Sequence, residues 1–174
     1  MLECLSRDPG MAGARLVLRR SADTDAPFLF NLYVSVRQDE FSALGWDTVT
    51  LRAFLQTQFH VQRRHYHAAF PSAEYLIVEH EGSPVGQLCL FDQTHALRIV
   101  DISLLPEARN KGMGHAIMAA VQRLAASGEK AVTLSVISDS PARRLYVRLG
   151  FQDAGLQGPR TQMQWRQSSA DAAS

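Results

Sequence analysis

The apolar positions of this chain fall into runs with two distinct periods, and the breaks between runs are marked by glycine, proline and capping residues. Arg15–Arg19 (RLVLR) is a short apolar run between arginines and predicts a first strand. Asp23–Pro27 (DTDAP) then offers a helix N-cap with proline near the first turn, so a helix is predicted to run to about Gln38. Gly45 breaks the chain, and Asp47 or Thr48 caps a longer helix. Its Leu51, Phe54, Leu55, Phe59, Tyr66 and Phe70 recur at three-, four- and seven-residue spacings until Pro71 stops it. Glu74–His80 (EYLIVEH) and Val85–Phe91 (VGQLCLF) flank the turn residues Glu81, Gly82, Ser83 and Pro84, which predicts an antiparallel hairpin. Leu97–Leu105 predicts a third strand, Gly112–Ala126 an amphipathic helix ended by Gly128, and Ala131–Ile137 a fourth strand. A strand–helix–strand unit of this length makes a parallel, right-handed crossover. Asp139 or Ser140 caps one more helix, with Pro141 at its start and Gly150 at its end, before a last short strand at Thr161–Trp165. The pattern predicts a mixed α/β fold.

A chain of 174 residues fits one domain with a core that needs no staples. Residues 1–13 are rich in small and breaker residues and 167–174 read QSSADAAS, so both ends are expected to be flexible, leaving 14–166 as the domain. Lysine and arginine total 18 against 17 aspartates and glutamates, which leaves no field to steer the protein toward nucleic acid or an anionic membrane. Arg63 and Arg64 are too short a basic run to change that. Cys4 and Cys89 form no CxxC pair, no apolar run reaches the length of a membrane span, and the first residues lack the apolar core of a signal peptide; a cytoplasmic location is expected. No metal is expected. His60, His65 and His67 share a helix, but His65 and His67 point away from each other and His60 and His67 lie two turns apart.

The densest chemical signal is Arg109-Asn110-Lys111-Gly112-Met113-Gly114, placed after a strand and opening a helix. Glycines there let an anion approach the backbone, and the helix start supplies free N–H groups and the positive end of the helix dipole. The segment is not a P-loop, for no GxxxxGK[ST] occurs. It is not a dinucleotide fingerprint either, because Ile117 stands where a third small residue is needed.

Arg109-x-x-Gly112-x-Gly114 after Pro106 resembles the acetyl-CoA pyrophosphate motif of the GNAT acetyltransferases. Leu134-x-Val136 followed by Asp139-x-x-Ala142-x-x-Leu145-Tyr146-x-x-x-Gly150-Phe151 is similar to the later motif of that family, and the element order agrees with its fold. The resemblance implies a single GNAT-type domain with a mixed, mostly antiparallel sheet, splayed where two parallel strands meet. It implies acetyl-CoA as cosubstrate and transfer of the acetyl group to an amine by direct attack. By the same resemblance the backbone at Ile102 and Leu104 binds the pantetheine arm, donors from Arg109 through Asn110, Lys111, Gly112, Met113 and Gly114 to His115 bind the pyrophosphate, and Tyr146 protonates the departing thiolate. Asp139 stands where the family often has asparagine touching the cofactor, and its charge suits a helix cap better.

An alkyl ammonium with a pKa of about 10.4 is almost wholly protonated at neutral pH, so a base or a water path is required. Asp101, mid-strand beside the expected thioester, is the candidate base. Several family members carry a glutamate at the place of Ser135, one residue before the matched valine; its absence leaves a water relay open, with Glu79 and Glu107 as other contributors. Tyr33, Arg37, Glu40 and Gln58, on or next to the two early helices, are candidate acceptor contacts. The acceptor is expected to be a small-molecule or peptide amine, and the resemblance admits a homodimer with the aromatic second helix as a seam. The competing reading is a non-catalytic acyl-CoA-binding sensor or partner module, which would keep the glycine loop and dispense with the base.

Overall fold

The computed structural model describes residues 1–38, 40–41 and 45–167. A seven-stranded sheet in the order β1-β2-β3-β4-β5-β7-β6 forms its centre. The strands are β1 (Leu16–Arg20), β2 (Glu74–His80), β3 (Ser83–Asp92), β4 (Ala96–Leu104), β5 (Ala131–Ile137), β6 (Gln152–Gln157) and β7 (Arg160–Trp165). Every neighbouring pair is antiparallel except β4 and β5. The mixed, mostly antiparallel sheet expected from the pattern is therefore present.

Helices cover both faces. Helix α5 (Met113–Ser127) buries Ile117, Met118, Val121 and Ala125 against Leu88, Leu90, Leu97, Ile99, Val132 and Leu134 of the sheet. Helix α6 (Ala142–Arg148) adds Tyr146 to the same cluster. On the other face, α3 (Ala26–Arg37) and α4 (Thr48–Ala69) bury Leu29 and Phe59 on Ile77, with Phe28, Phe30 and Tyr33 packed around them. Asp47 caps α4 by accepting from the backbone N–H of Val49 at 2.9 Å and of Thr50 at 3.0 Å, as its type and position predict.

Two stretches differ from the sequence expectation. Residues 1–13, expected to be flexible, form α1 (Leu2–Ser6) and α2 (Pro9–Gly13), with Leu5 and Met11 buried. Asp8 caps α2 and grips Arg123 of α5 through two 2.7 Å hydrogen bonds. That tertiary tie, invisible in local composition, is what holds the segment. The chain also adds β6, paired with β7 through a turn at Gly158 and Pro159. All six residues of β6 are exposed, so no apolar alternation marks it. The C-terminal tail expected at 167–174 lies, beyond residue 167, outside the described residues.

Two irregularities of β4 set up the site. Cys89 pairs with Asp101 but the adjacent Leu90 pairs with Ile99, so Val100 is an extra residue without a partner on β3. Before the bulge Leu97 and Ile99 face α5; after it that face holds Ile102 and Leu104, and Asp101 and Ser103 point toward α3 and α4. Secondly, parallel pairing with β5 runs only from Ala96–Ala131 to Ile99–Leu134. Beyond those pairs the strands diverge. The edge of 100–104 that looks toward β5 has no strand partner there.

Candidate active site

The diverging strands form a wedge open to both faces of the sheet. At its α5 side, β4 ends at Leu104 and a 3-10 turn (Pro106–Ala108) leads into the glycine loop. Asn110 and Gly112 are both left-handed, with φ of 59° and 80°. Glycine suits the second position on conformational grounds alone, and a Cβ there would meet no atom within 4 Å. Gly112 is the N-cap of α5 and no side chain caps the helix. The first backbone N–H groups of α5, from Met113 to His115, thus lack intrahelical partners beside open space at Gly112, the arrangement an anion needs. Lys111 and His115 are exposed, whereas Met113 is buried and offers the loop only its backbone. Gly114 allows close packing on α6, for a Cβ there would lie 3.4 Å from Leu145 Cδ2.

Arg109 is the departure within this loop. Its Nε–H donates to the Leu104 carbonyl at 2.9 Å, so the side chain fastens the loop to the end of β4. Asp139 is likewise not the helix cap that was one of its expected roles. Ser140 Oγ accepts from the Ala142 N–H at 3.3 Å, and Asp139 is exposed beside a hollow of about 350 Å³ lined by Arg143, Arg144 and Arg148.

Tyr146 enters the wedge from the α6 side. It is buried against Phe151, with ring centroids 5.9 Å apart, and desolvation pushes its phenol up to about 12. Asp101 enters from the opposite face. Burial raises its carboxyl to about 6 against the opposing effect of hydrogen bonds from Gln87 and Ser103 and of the Arg37 and Arg160 charges. The negative charge of Asp101 in turn adds to the elevation at Tyr146, so the two groups sense one another across the gap. Tyr146 and Asp101 thus approach from opposite faces of the sheet, with the charge of Asp101 acting on the phenol through space. The structure does not bring in Glu79, which is held by Arg19 at 2.7 Å between β1 and β2, and it leaves Glu107 exposed on the 3-10 turn.

Ser135 occupies the β5 side of the wedge. Its hydroxyl accepts from Arg160 Nε at 2.9 Å and from Gln162 Nε2 at 3.0 Å, and its carbonyl accepts from Arg160 Nη2 at 2.8 Å. Opposite them on α4, Tyr66 is pushed up to about 12, chiefly by burial, with Asp101 adding to the rise and Arg160 and Arg37 opposing it. Among the expected acceptor contacts, Arg37 stacks over Tyr33 at 5.3 Å and reaches Glu40 at 3.5 Å, while Gln58 is exposed on α4. Gln87, Arg160, Gln162 and Tyr66 were missed by the sequence reading. Gln87 carried a signal, being the one polar side chain within the apolar run VGQLCLF. In RTQMQW the alternation was equally readable: Thr161 and Met163 are buried, so Arg160 and Gln162 had to share the other face.

Comparison with known proteins agrees with this architecture. Residues 71–153, spanning β2 to the start of β6 and so β4, the glycine loop, α5, β5 and α6, match the family described as acetyltransferase (GNAT) domain. A Bacillus subtilis (strain 168) protein that bears the provisional name [ribosomal protein bS18]-alanine N-acetyltransferase is 28% identical over 88 residues. That alignment covers 49% of this chain and 58% of the relative, so the chain spans little more than half of that protein's length. Among solved structures, the PaiA N-acetyltransferase of Thermoplasma acidophilum in complex with coenzyme A superposes with a TM-score of 0.66 at 13% identity, over 87% of this chain and 99% of its own. A GNAT family acetyltransferase of Elizabethkingia anophelis with acetyl-CoA bound gives 0.56 at 11% identity, over 88% and 99%. At such identities the likeness establishes the fold.

Proposed function

We propose that the chain is a member of the GNAT acetyltransferase superfamily and an acetyl-CoA-dependent N-acetyltransferase acting on an amine by direct attack. The observation that carries this reading is the divergence of β4 and β5 beside a glycine loop at an uncapped helix start, with Asp101 on one face of the split and buried Tyr146 on the other. A bare binding module would need the loop but not this acid–base pair.

Acetyl-CoA fits the residues present. The left-handed Asn110 and Gly112 turn the loop so that N–H groups up to His115 can hold the pyrophosphate, and the unpaired edge of β4 at Ile102 and Leu104 can hold the amide-bearing pantetheine arm. The cosubstrate supplies an activated acyl group as a thioester. Asp101 ionises at about 6, so it is largely a carboxylate at neutral pH and accepts the proton of the incoming ammonium, directly or through water. An N–C bond then forms as the C–S bond breaks, and the departing thiolate takes the proton of Tyr146, whose elevated pKa keeps it protonated until that moment. The acylated nitrogen gives up its second proton to solvent, Asp101 releases the one it took, solvent returns a proton to the phenolate, and the products are the N-acetylated acceptor and free coenzyme A.

Release of free thiol from acetyl-CoA tests the reading, measured against a panel of amino acids, polyamines and peptides with a free N-terminal alanine. Acceptor-dependent release that falls at least about a hundredfold in Tyr146→Phe supports it. Failure to bind acetyl-CoA overturns it.

A further inference from the structure

The acceptor side of the wedge is electrostatically two-sided: the charges of Arg37 and Arg160 both act on Asp101, and of the two only Arg37 has a carboxylate partner, Glu40, among the described residues. Arg160 pairs with Ile137 at the open end of β5, beyond the last parallel pair, and its side chain lies back along the strand over Ser135. A guanidinium carries five N–H donors. Two of them, on Nε and Nη2, are spent on the hydroxyl and carbonyl of Ser135, both neutral acceptors. That grip uses the side edge of the fork and leaves its end edge, Nη1 with the second Nη2 hydrogen, without a carboxylate partner among the described residues. Arg19, by contrast, holds Asp25 and Glu79, and Arg123 holds Asp8. Arg160 is instead half-buried and held on Ser135, with no carboxylate in direct contact among the described residues.

Asp101 lies on the same face of the sheet, on the opposite lip. The parity of the paired positions places Asp101, Gln87 and Ser103 on the face shared by Ser135, Gln162 and Arg160. Asp101 receives Gln87 as a hydrogen-bond donor, and the Arg160 charge acts on it through space rather than by a salt bridge. A negative group and a positive group thus stand on one face of the sheet, on either side of the diverging β4 and β5, without joining. Such a pair is satisfied by a molecule that carries the complementary charges itself.

We infer that Arg160, held by Ser135, is the anion anchor of the acceptor site, and that the acceptor is a small zwitterion whose amine sits at Asp101 and whose carboxylate, a few bonds away, sits on the free edge of Arg160. A bidentate guanidinium–carboxylate contact orients the molecule as well as binding it, so the amine is presented to the acyl group in one pose. The inference rests on the acetyltransferase reading and adds to it the class of acceptor.

The test compares α-, β- and γ-amino acids with their own carboxamides as acceptors, following thiol release from acetyl-CoA in wild type, Arg160→Gln and Arg160→Lys, with acetyl-CoA binding measured in each by calorimetry. The expected result is a kcat/KM at least about tenfold higher for an acid than for its amide. Arg160→Gln should erase that preference by slowing the acids and sparing the amides, Arg160→Lys should restore part of it, and all three proteins should bind acetyl-CoA alike. The inference is overturned if amides or alanine peptides are used as well as the acids, or if Arg160→Gln slows both series equally. Turnover of neither series with acetyl-CoA still bound also overturns it, and leaves the acetyltransferase reading standing. Loss of acetyl-CoA binding in the wild type removes both.

Discussion

Gly86 of β3 and Leu104 of β4 face each other with no room between them for a side chain. A Cβ at Gly86 would lie 2.6 Å from Leu104 Cδ2 and well inside contact distance of the Ser103 carbonyl oxygen. Those atoms belong to the stretch of β4 that borders the wedge, and the Leu104 carbonyl is where Arg109 fastens the glycine loop. Gly86→Ala therefore pushes on the site from behind. Overpacking of this kind costs about 1–3 kcal/mol, which for a chain of this size lowers Tm by roughly 2–10 °C. Acetyl-CoA affinity should fall with it, because the displaced element carries the loop. Thermal unfolding with calorimetry checks both, and an unchanged Tm would refute the account.

The pH dependence follows from Asp101. Its carboxyl is raised to about 6 and must be ionised to accept a proton, so kcat/KM should fall as pH drops through about 6. A separate rise toward alkaline pH belongs to ionisation of the acceptor amine. Asp101→Asn should lower the rate about 10²–10⁴-fold and abolish the acid limb. Stability has the opposite sign: a carboxyl raised above 3.8 favours the folded state at low pH, and this contribution is lost as pH rises through 6. The Tm of Asp101→Asn relative to wild type should thus be higher at pH 8 than at pH 5, a pattern that an aspartate with an ordinary or lowered pKa would not give.

Asp8 ties the first helices to α5 in a way that can be measured. It accepts from Gly10 and Met11 N–H groups at the start of α2 and from Arg123, which holds its carboxyl below the usual carboxylate range. Asp8→Ala removes a helix cap and a partly exposed ion pair together, about 1–3 kcal/mol. Amide exchange over residues 2–13 should quicken in the variant. Unaltered protection there would show that burial of Leu5 and Met11 suffices without Asp8.

How far the sequence could be read depends on whether a feature is local. The β2–β3 hairpin was legible because Gly82, at φ 80°, supplies the turn between two apolar runs, and α4 was legible because Asp47 is its own cap. The glycine loop and Tyr146 were legible as motifs with their own chemistry. The bulge at Val100 was not, since an extra residue is defined only by the strand that fails to pair with it. That bulge decides which face Asp101 occupies, so its candidacy came from its place on the strand and its company from the fold. Arg160 escaped notice for the same reason: its role depends on Ser135, 25 positions earlier and adjacent only in the folded sheet. Nothing in QDAGLQ distinguishes the exposed edge strand β6 from a loop until β7 is there to receive it.

Two glycines of the loop separate anion binding from packing. At Gly112 the backbone is left-handed and the space beside it is open, so Gly112→Ala carries only the conformational cost, about 1–2 kcal/mol. The added methyl nevertheless borders the open space where phosphate oxygens need to approach, and relaxation of the left-handed turn would swing N–H groups away from them. The expected outcome is a modest drop in Tm with a tenfold or greater weakening of acetyl-CoA binding. Gly114 is already within α5, and its Cβ would lie 3.4 Å from Leu145, the neighbour of Tyr146. Gly114→Ala should therefore leave the loop's N–H groups in place and be accommodated with at most a small adjustment of Leu145, so that acetyl-CoA binding is far less affected than in Gly112→Ala. Titration calorimetry on the two variants distinguishes the roles; if both weakened acetyl-CoA binding in the same proportion, the division between Gly112 as part of the phosphate cradle and Gly114 as a packing contact would be wrong.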